Sequence, residues 1–431
     1  MQRRETIPRV GYRAQAGQDA ERGVGCVRAD SYFRTVLAGV AAIGVGGASY
    51  ADDGLDPSEL LSDASARTSL LASAASSGAA SGTALELVSA DGSAKVKAIG
   101  QMQFRHVYNH RNGSGVDQDD FGFEFRRIRP GLSGSLQDGK ILFYIVAESD
   151  RNAPLTLNDA WFGYKADNGD RFRAGQFAPG FTREQLVSSK RRLASDNTVA
   201  HAFFNFGRSQ GVDWQHTSGD WKTFVFIGDG AGERNTPYTM DADYGATARV
   251  QRKFGEGDWK RHDDFIGKPG ETTAYLVGAG VSIAGGEIDA DSDGMRDDDY
   301  YDFRYTVDAG VEGDGWNAFA AFFGQQFDAQ TMSEVNTYGV TVQGGVFVTD
   351  DVDIFAQYAW ADDDAGNGEL SIITAGFNKY IKGHTIKLTV DANVALEPIT
   401  ANFSSGSRGT LVDAMGEDGQ FFIRSQIQLL F

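Results

Sequence analysis

From about Ala94 to its last residue the chain repeats one pattern, segments of ten to thirteen residues in which apolar and polar positions alternate. In Thr337–Val348, Tyr338, Val340, Val342, Val346 and Val348 share one face, and Thr337, Thr341, Gln343 and Gly345 the other. In Thr385–Val394, Ile386, Leu388, Val390, Ala392 and Val394 oppose Lys387, Thr389, Asp391 and Asn393. A period of two is the signature of a strand, not of a helix. The pattern predicts strands near 95–108, 120–136, 140–149, 156–165, 170–177, 209–217, 220–228 and 243–254. Eight more follow near 272–283, 300–312, 315–326, 335–348, 351–361, 369–381, 384–395 and 420–431.

The connections alternate in length. Tight turns such as Gln137-Asp138-Gly139, Asp167-Asn168-Gly169, Ser218-Gly219 and Lys382-Gly383 follow the even-numbered strands. Long connections, 109–119, 178–208, 229–242, 284–299 and 396–419, follow the odd-numbered ones. Segment 255–271 breaks this rule, being an even-numbered turn that is long and charged. A soluble sandwich has no reason to gather its long loops at one end, whereas a transmembrane barrel has short turns on one side and long loops on the other. In lipid every backbone group must be paired within the protein, so the sheet must close. The fold class expected is therefore all-β, a transmembrane antiparallel β-barrel of sixteen strands with an aqueous lumen. Trp161, Trp214, Trp221, Trp316 and Trp360 lie in these strands and are expected at the membrane interfaces. In Tyr244–Phe254, Tyr244, Ala246, Ala248 and Val250 should meet lipid, with Arg249, Gln251 and Lys253 facing inward.

Upstream, residues 31–51 read as an address. Arg28 and Arg34 precede the apolar run Val36–Gly47, and Ser49 and Ala51 stand at the −3 and −1 positions of a cleavage site. The organisation expected is an extension plus signal peptide over 1–51, a Ser/Ala-rich periplasmic segment over 52–93, and the barrel over 94–431. The single Cys, Cys26, would leave with the signal, removing disulfide and thiolate chemistry from the mature chain. Residues 1–51 hold seven Arg and four acids, so the remainder carries 33 bases against 55 acids, a charge of −22. That balance argues against nucleic acid as a partner.

Candidate enzymatic chemistry is sparse. The chain has no Gly-x-Ser-x-Gly, no His-Glu-x-x-His and no phosphate-binding glycine loop, and its six His are scattered. A barrel hydrolase would need a nucleophile or acid pair beside a base, and no convincing set emerges. Asp289, Asp291 and Asp293, followed by Gly294, resemble the first half of a calcium loop. Its twelfth position is Tyr300 instead of a bidentate Glu, so an acidic solvated loop is the preferred reading. No cofactor is expected.

Several segments together resemble the phosphate-selective porin O and P family of Gram-negative outer membranes. They are Phe125-Arg126-Arg127-Ile128-Arg129 with Gly131-Leu132-Ser133-Gly134, then Asn158-Asp159-Ala160-Trp161-Phe162-Gly163-Tyr164. Ala174-Gly175-Gln176-Phe177 leads into Phe181–Lys190, and the alternating last strand ends in Phe431, similar to the assembly signal of outer-membrane barrels. The resemblance implies a barrel that is usually trimeric and narrowed by an inward-folded third loop, here 178–208. It also implies pore-constriction residues: Arg126 and Arg127 on a strand, Asp159 near the constriction, and Lys190 in the loop, with Arg191 and Arg192 beside it. Guanidinium groups fixed on a wall can replace part of an anion's hydration shell. Gln101, Gln176 and Ser195-Asp196-Asn197 stand where phosphate-selective members carry basic residues. The function expected is passive diffusion of small anionic solutes, phosphate or related oxyanions among them, through an outer-membrane channel, with lipid and two further copies as partners. An envelope tether or adhesin using 52–82 and the acidic loops is the alternative.

Overall fold

A computed structural model describes residues 85–112, 118–149, 151, 154–237, 244–288, 298–330, 332–413, 417 and 419–431. The expected signal and its cleavage site, and most of 52–93, lie outside the described residues. The first eight strands in chain order are β1 (Glu86–Val88), β2 (Lys95–Arg111), β3 (Gln118–Leu136), β4 (Ile141–Glu148), β5 (Thr156–Lys165), β6 (Asp170–Phe177), β7 (Ser209–Ser218) and β8 (Trp221–Gly228). Then come β9 (Tyr244–Gly255), β10 (Ala274–Ile288), β11 (Asp298–Gly313), β12 (Trp316–Ala329) and β13 (Val335–Thr349). The last are β14 (Val352–Asp363), β15 (Leu370–Lys382), β16 (Ile386–Ala395) and β17 (Phe421–Leu430).

From β2 onward each strand pairs antiparallel with its successor, and β17 pairs with β2, closing a ring of sixteen. All sixteen strands read from the alternation are present. The short β1 pairs with Lys95–Lys97 of β2, outside the ring. At the seam Gly100 and Phe431 exchange backbone hydrogen bonds of 2.7 and 3.2 Å. The Phe431 ring lies where a Cβ on Gly100 would stand, so the glycine is what lets the terminal aromatic close the ladder. The tight turns carry Gly139, Gly169, Gly219, Gly315 and Gly383 at positive φ, as short hairpins require.

The faces are inverted relative to a soluble protein. In β13, Thr341 is 0% exposed and Val342 47%. In β16, Lys387, Thr389, Asp391 and Asn393 are all buried, while Val394 is exposed. In β9, Arg249 and Gln251 are buried and Tyr244 and Val250 exposed, the orientation expected. An apolar exterior over a polar interior suits a strand with lipid on one side and a lumen on the other. Trp221 and Trp316 are exposed on the outer face. Trp161 is the correction: it shares a cavity with Arg173 and Tyr144, because its parity is opposite to that of the exposed Phe162 and Tyr164.

The largest apolar cluster joins segment 178–208 to the strands. Val187, Leu193, Val199 and Phe204 of segment 178–208 pack with Phe319, Phe323 and Phe355 of β12 and β14, and with Phe265 and Ile266 of the long turn after β9. That turn, the exception in the loop pattern, holds a 3-10 helix at Trp259–Asp263.

Candidate functional site

The paired arginines of β3 owe their placement to a bulge. Gln103 of β2 pairs with Arg127 and Phe104 with Phe125, leaving Arg126 as an extra residue. Strict alternation would send one of two successive side chains outward, whereas the bulge turns both inward. Both are buried, at 5% and 4% exposure.

Segment 178–208 supplies what they meet. It contains two short helices, α1 (Arg183–Leu186) and α2 (Val199–Phe204), capped by the side chains of Thr182 and Thr198. Between them Asp196 is buried among arginines from three strands. Its carboxylate accepts from Arg105 Nη1 at 2.9 Å, Arg126 Nε at 3.1 Å and Arg127 Nη2 at 2.7 Å, with Arg424 Nη1 at 3.8 Å. Burial alone would raise the Asp196 carboxyl, but Arg126, Arg127, Arg105 and Arg424 hold it well below the usual carboxylate range. Asp391 takes Arg424 Nε at 2.6 Å and also accepts from the Ser195 amide at 3.0 Å. The sequence departures find work here too. Gln101 donates to the Ser189 hydroxyl at 3.1 Å, beside Gln103, which donates to the Ser189 carbonyl at 3.1 Å, and Gln176 donates to the Leu157 carbonyl at 2.9 Å.

A cavity of about 550 Å³ adjoins this cluster. Its basic lining residues are Arg126, Arg127, Arg129, Lys190, Arg192, Arg208, Arg234 and Arg408, against only Glu148 and Asp159 as acids. Asp159 is bound to Arg208 at 3.1 Å, and Glu148 to Arg129 at 2.7 Å. Among the described residues no carboxylate lies within ion-pair distance of Lys190, Arg192 or Arg408. Burial, with Arg129 and Arg191 nearby, pushes the Lys190 ammonium below its ordinary value. Arg191 turns elsewhere, to Asp263 of the long turn at 3.0 Å. His201, on α2, is buried between Thr182 and Asn197, 2.8 and 2.9 Å from its ring nitrogens. Burial, then Arg192 and Arg408, push its pKa well below the ordinary value, so the imidazole is neutral.

The structure thus brings Arg126, Arg127, Asp159, Lys190 and Arg192 to one cavity and sets Arg191 aside. Arg126 and Arg127, read from sequence as cations offered to solutes, are anchors of segment 178–208 through Asp196. Arg105, Arg424 and Arg408 were not singled out in the sequence. Parity would have placed Arg105 beside Gln101 and Gln103 on the inward face of β2, but it gives no sign of a partner 91 residues away. Among the described residues no group of three metal-ligating side chains occurs. Asp289, Asp291 and Asp293 lie outside the described residues.

The profile of the phosphate-selective porin O and P family matches residues 96–395. No individual curated protein matches by sequence. Among solved structures, the anion-selective porin from Comamonas acidovorans superposes with a TM-score of 0.58 at 13% identity, covering 78% of this chain and 100% of that one. The outer membrane channel DcaP of Acinetobacter baumannii gives 0.54 at 14% identity, with 80% and 99% covered. The trimer form of OmpT from Vibrio cholerae gives 0.53 at 12% identity, with 78% and 99% covered. These likenesses are to the barrel fold.

Proposed function

We propose that this chain, which belongs to the phosphate-selective porin O and P family and so forms an outer-membrane channel, passes small anions by passive diffusion along a wall of fixed cations. The observation that carries this reading is the cavity beside segment 178–208, with eight bases against two acids and three cations that hold no carboxylate, among the described residues. We read 178–208 as the inward-folded third loop. Its hydrogen bonds to Gln101 of β2, Arg249 of β9 and Thr341 of β13, on widely separated strands of the ring, support that.

In this reading an anion sheds part of its hydration shell against Lys190, Arg192 and Arg408, whose N–H groups replace the lost water. Arg126 and Arg127 contribute field but few free donors, because Asp196 already occupies the place a bound oxyanion would take. The preference for anions is accordingly mild, without tight retention of phosphate. The −22 charge expected for the mature chain lies partly in acidic clusters at strand ends and loops such as Asp362–Asp364, screened over about 8 Å at physiological salt. A passive channel needs no nucleophile or general base, and the family membership supports a channel over a hydrolase. The proposal includes cleavage after Ala51 and assembly as a homotrimer, the latter supported by the trimer form of the Vibrio cholerae neighbour.

The pair Lys190→Ala and Arg192→Ala tests the reading in planar bilayers. The reversal potential in a salt gradient should move toward cations. An unchanged potential in channels of normal conductance would detach selectivity from these side chains.

A further inference from the structure

A second cavity, of about 420 Å³, adjoins the first through Tyr144, Asp159, Ala178 and Gln185. It lies between segment 178–186, the inner face of β5 to β9 and the long turn after β9. Its chemistry differs from that of the first. Among the described residues Tyr144 and His201 are the rings that line the first cavity, whereas the second adds Phe177, Phe224 and, as half-buried walls, Trp161 and Trp259. Trp161 stacks on Tyr144 with ring centroids 5.8 Å apart.

Cations stand around these rings. The Lys222 ammonium sits 4.3 Å from the centre of the Trp259 ring. Arg171 gives one bond to Gln215 at 2.7 Å, and its buried Nε has no partner. Arg183 donates to the carbonyls of His262 and Asp264. Among the described residues none of the three pairs with a carboxylate. The acids of the cavity are already engaged, Asp159 by Arg208 at 3.1 Å and Asp263 by Arg191 at 3.0 Å.

We propose that this second cavity is a binding site for small organic anions that carry an aromatic ring, a carboxylate meeting Arg171 and Lys222 while the ring lies against Trp259 and Trp161. A cation held on an indole face is stripped of water on that side, so it gains from a carboxylate that approaches from the other. A flat ring displaces water from the half-buried indoles and gains the stacking that an inorganic oxyanion, with no apolar face, cannot. The volume falls within the range of sites for small molecules. The inference rests on the anion-preference reading and adds to it a class of solute.

The test uses the full mature channel in planar bilayers, with benzoate, acetate and phosphate as probes of chloride current. Benzoate should block at roughly tenfold lower concentration than acetate or phosphate, the gain expected from one partly buried ring. Trp259→Leu leaves every charge in place and should abolish that difference with chloride conductance retained. The pair Arg171→Gln and Lys222→Gln should abolish block by all three anions. Equal potency of benzoate and acetate on the parent channel, or a difference that survives Trp259→Leu, would overturn the proposal. Failure of the underlying anion preference would show separately, as a cation-selective reversal potential in potassium chloride before any probe is added.

Discussion

Asp196→Asn removes one charge and keeps the shape. The amide oxygen can still accept from Arg127, but the carboxylate that faces Arg105, Arg126 and Arg127 at 2.7–3.1 Å is gone. Arg105 retains Glu124, Arg424 retains Asp391, and Arg127 retains Gln103 at 2.8 Å with Glu148 at 3.8 Å. Removing one partner of a buried pair typically costs about 3–5 kcal/mol, and the retained amide with neighbouring lumenal water should hold the loss near the low end. The cost falls on segment 178–208, since the ring is held by its ladder. For an anion passing about 6 Å away, deleting a negative charge is worth roughly 0.7 kcal/mol with water-like screening and about 3 kcal/mol at an effective dielectric of 20. Relative anion permeability should therefore rise by a factor between about 3 and about 100, and phosphate should block chloride current at lower concentration than in the parent. The assay is the reversal potential of parent and variant, with single-channel conductance reporting whether segment 178–208 keeps its place. A variant of parental conductance whose potential is unchanged would refute the argument that Asp196 masks the arginine cluster. A shift toward cations would refute it more strongly.

Three other outcomes follow from the same structure. Val250→Arg places a charge on the lipid face at a cost of about 2–4 kcal/mol and should impair assembly, whereas Gln251→Arg points inward and should be tolerated; heat-modified mobility on gels reads both. Asp308→Ala leaves Arg249, bound to it at 2.7 and 2.8 Å, buried against the Phe181 carbonyl, and should cost about 3–5 kcal/mol, seen as a lower melting temperature. Conductance and selectivity should be flat from about pH 5 to 8. The depressed Asp196 contributes stability that is complete above the unfolded carboxylate value and is lost only as pH falls through its much lower folded value. His201, likewise depressed, stays neutral in the folded state, so its linked loss of stability sets in as pH falls below about 6.5, where the unfolded imidazole takes up a proton, without a change in the folded channel. A step near pH 6.5, the ordinary histidine value, would show that His201 titrates freely.

The ring was legible because a lipid-facing strand alternates, and each of the sixteen spans eight residues or more, long enough for a period or an apolar run to show. The three residues of β1 are too few to show a period. The long turn after β9 was visible only as a breach of loop spacing; its buried His262, Asp264, Phe265 and Ile266 show why, since they pack inside against β12 and segment 178–208. For the site, residue types were readable and partnerships were not. Arg126 and Arg127 stood out as a pair, yet the bulge that turns both inward breaks the periodicity used to assign faces. Asp196 read as a missing cation, because a local motif cannot show that arginines from β2, β3 and β17 converge on it. Lys190 and Arg192 were identified, but that they meet no carboxylate among the described residues depends on every strand around them.

The central claim is that cations lining the narrow part of the lumen, and not the acidic charge of the whole chain, decide which ions pass. The most direct measurement is the reversal potential of the unmodified channel in a tenfold potassium chloride gradient centred near about 0.1 M, where charges more than about 10 Å from the path are screened. The account predicts a potential displaced modestly toward the chloride equilibrium value. A potential close to the potassium equilibrium value would contradict it, because the acidic loops would then govern permeation and the cations beside segment 178–208 would not.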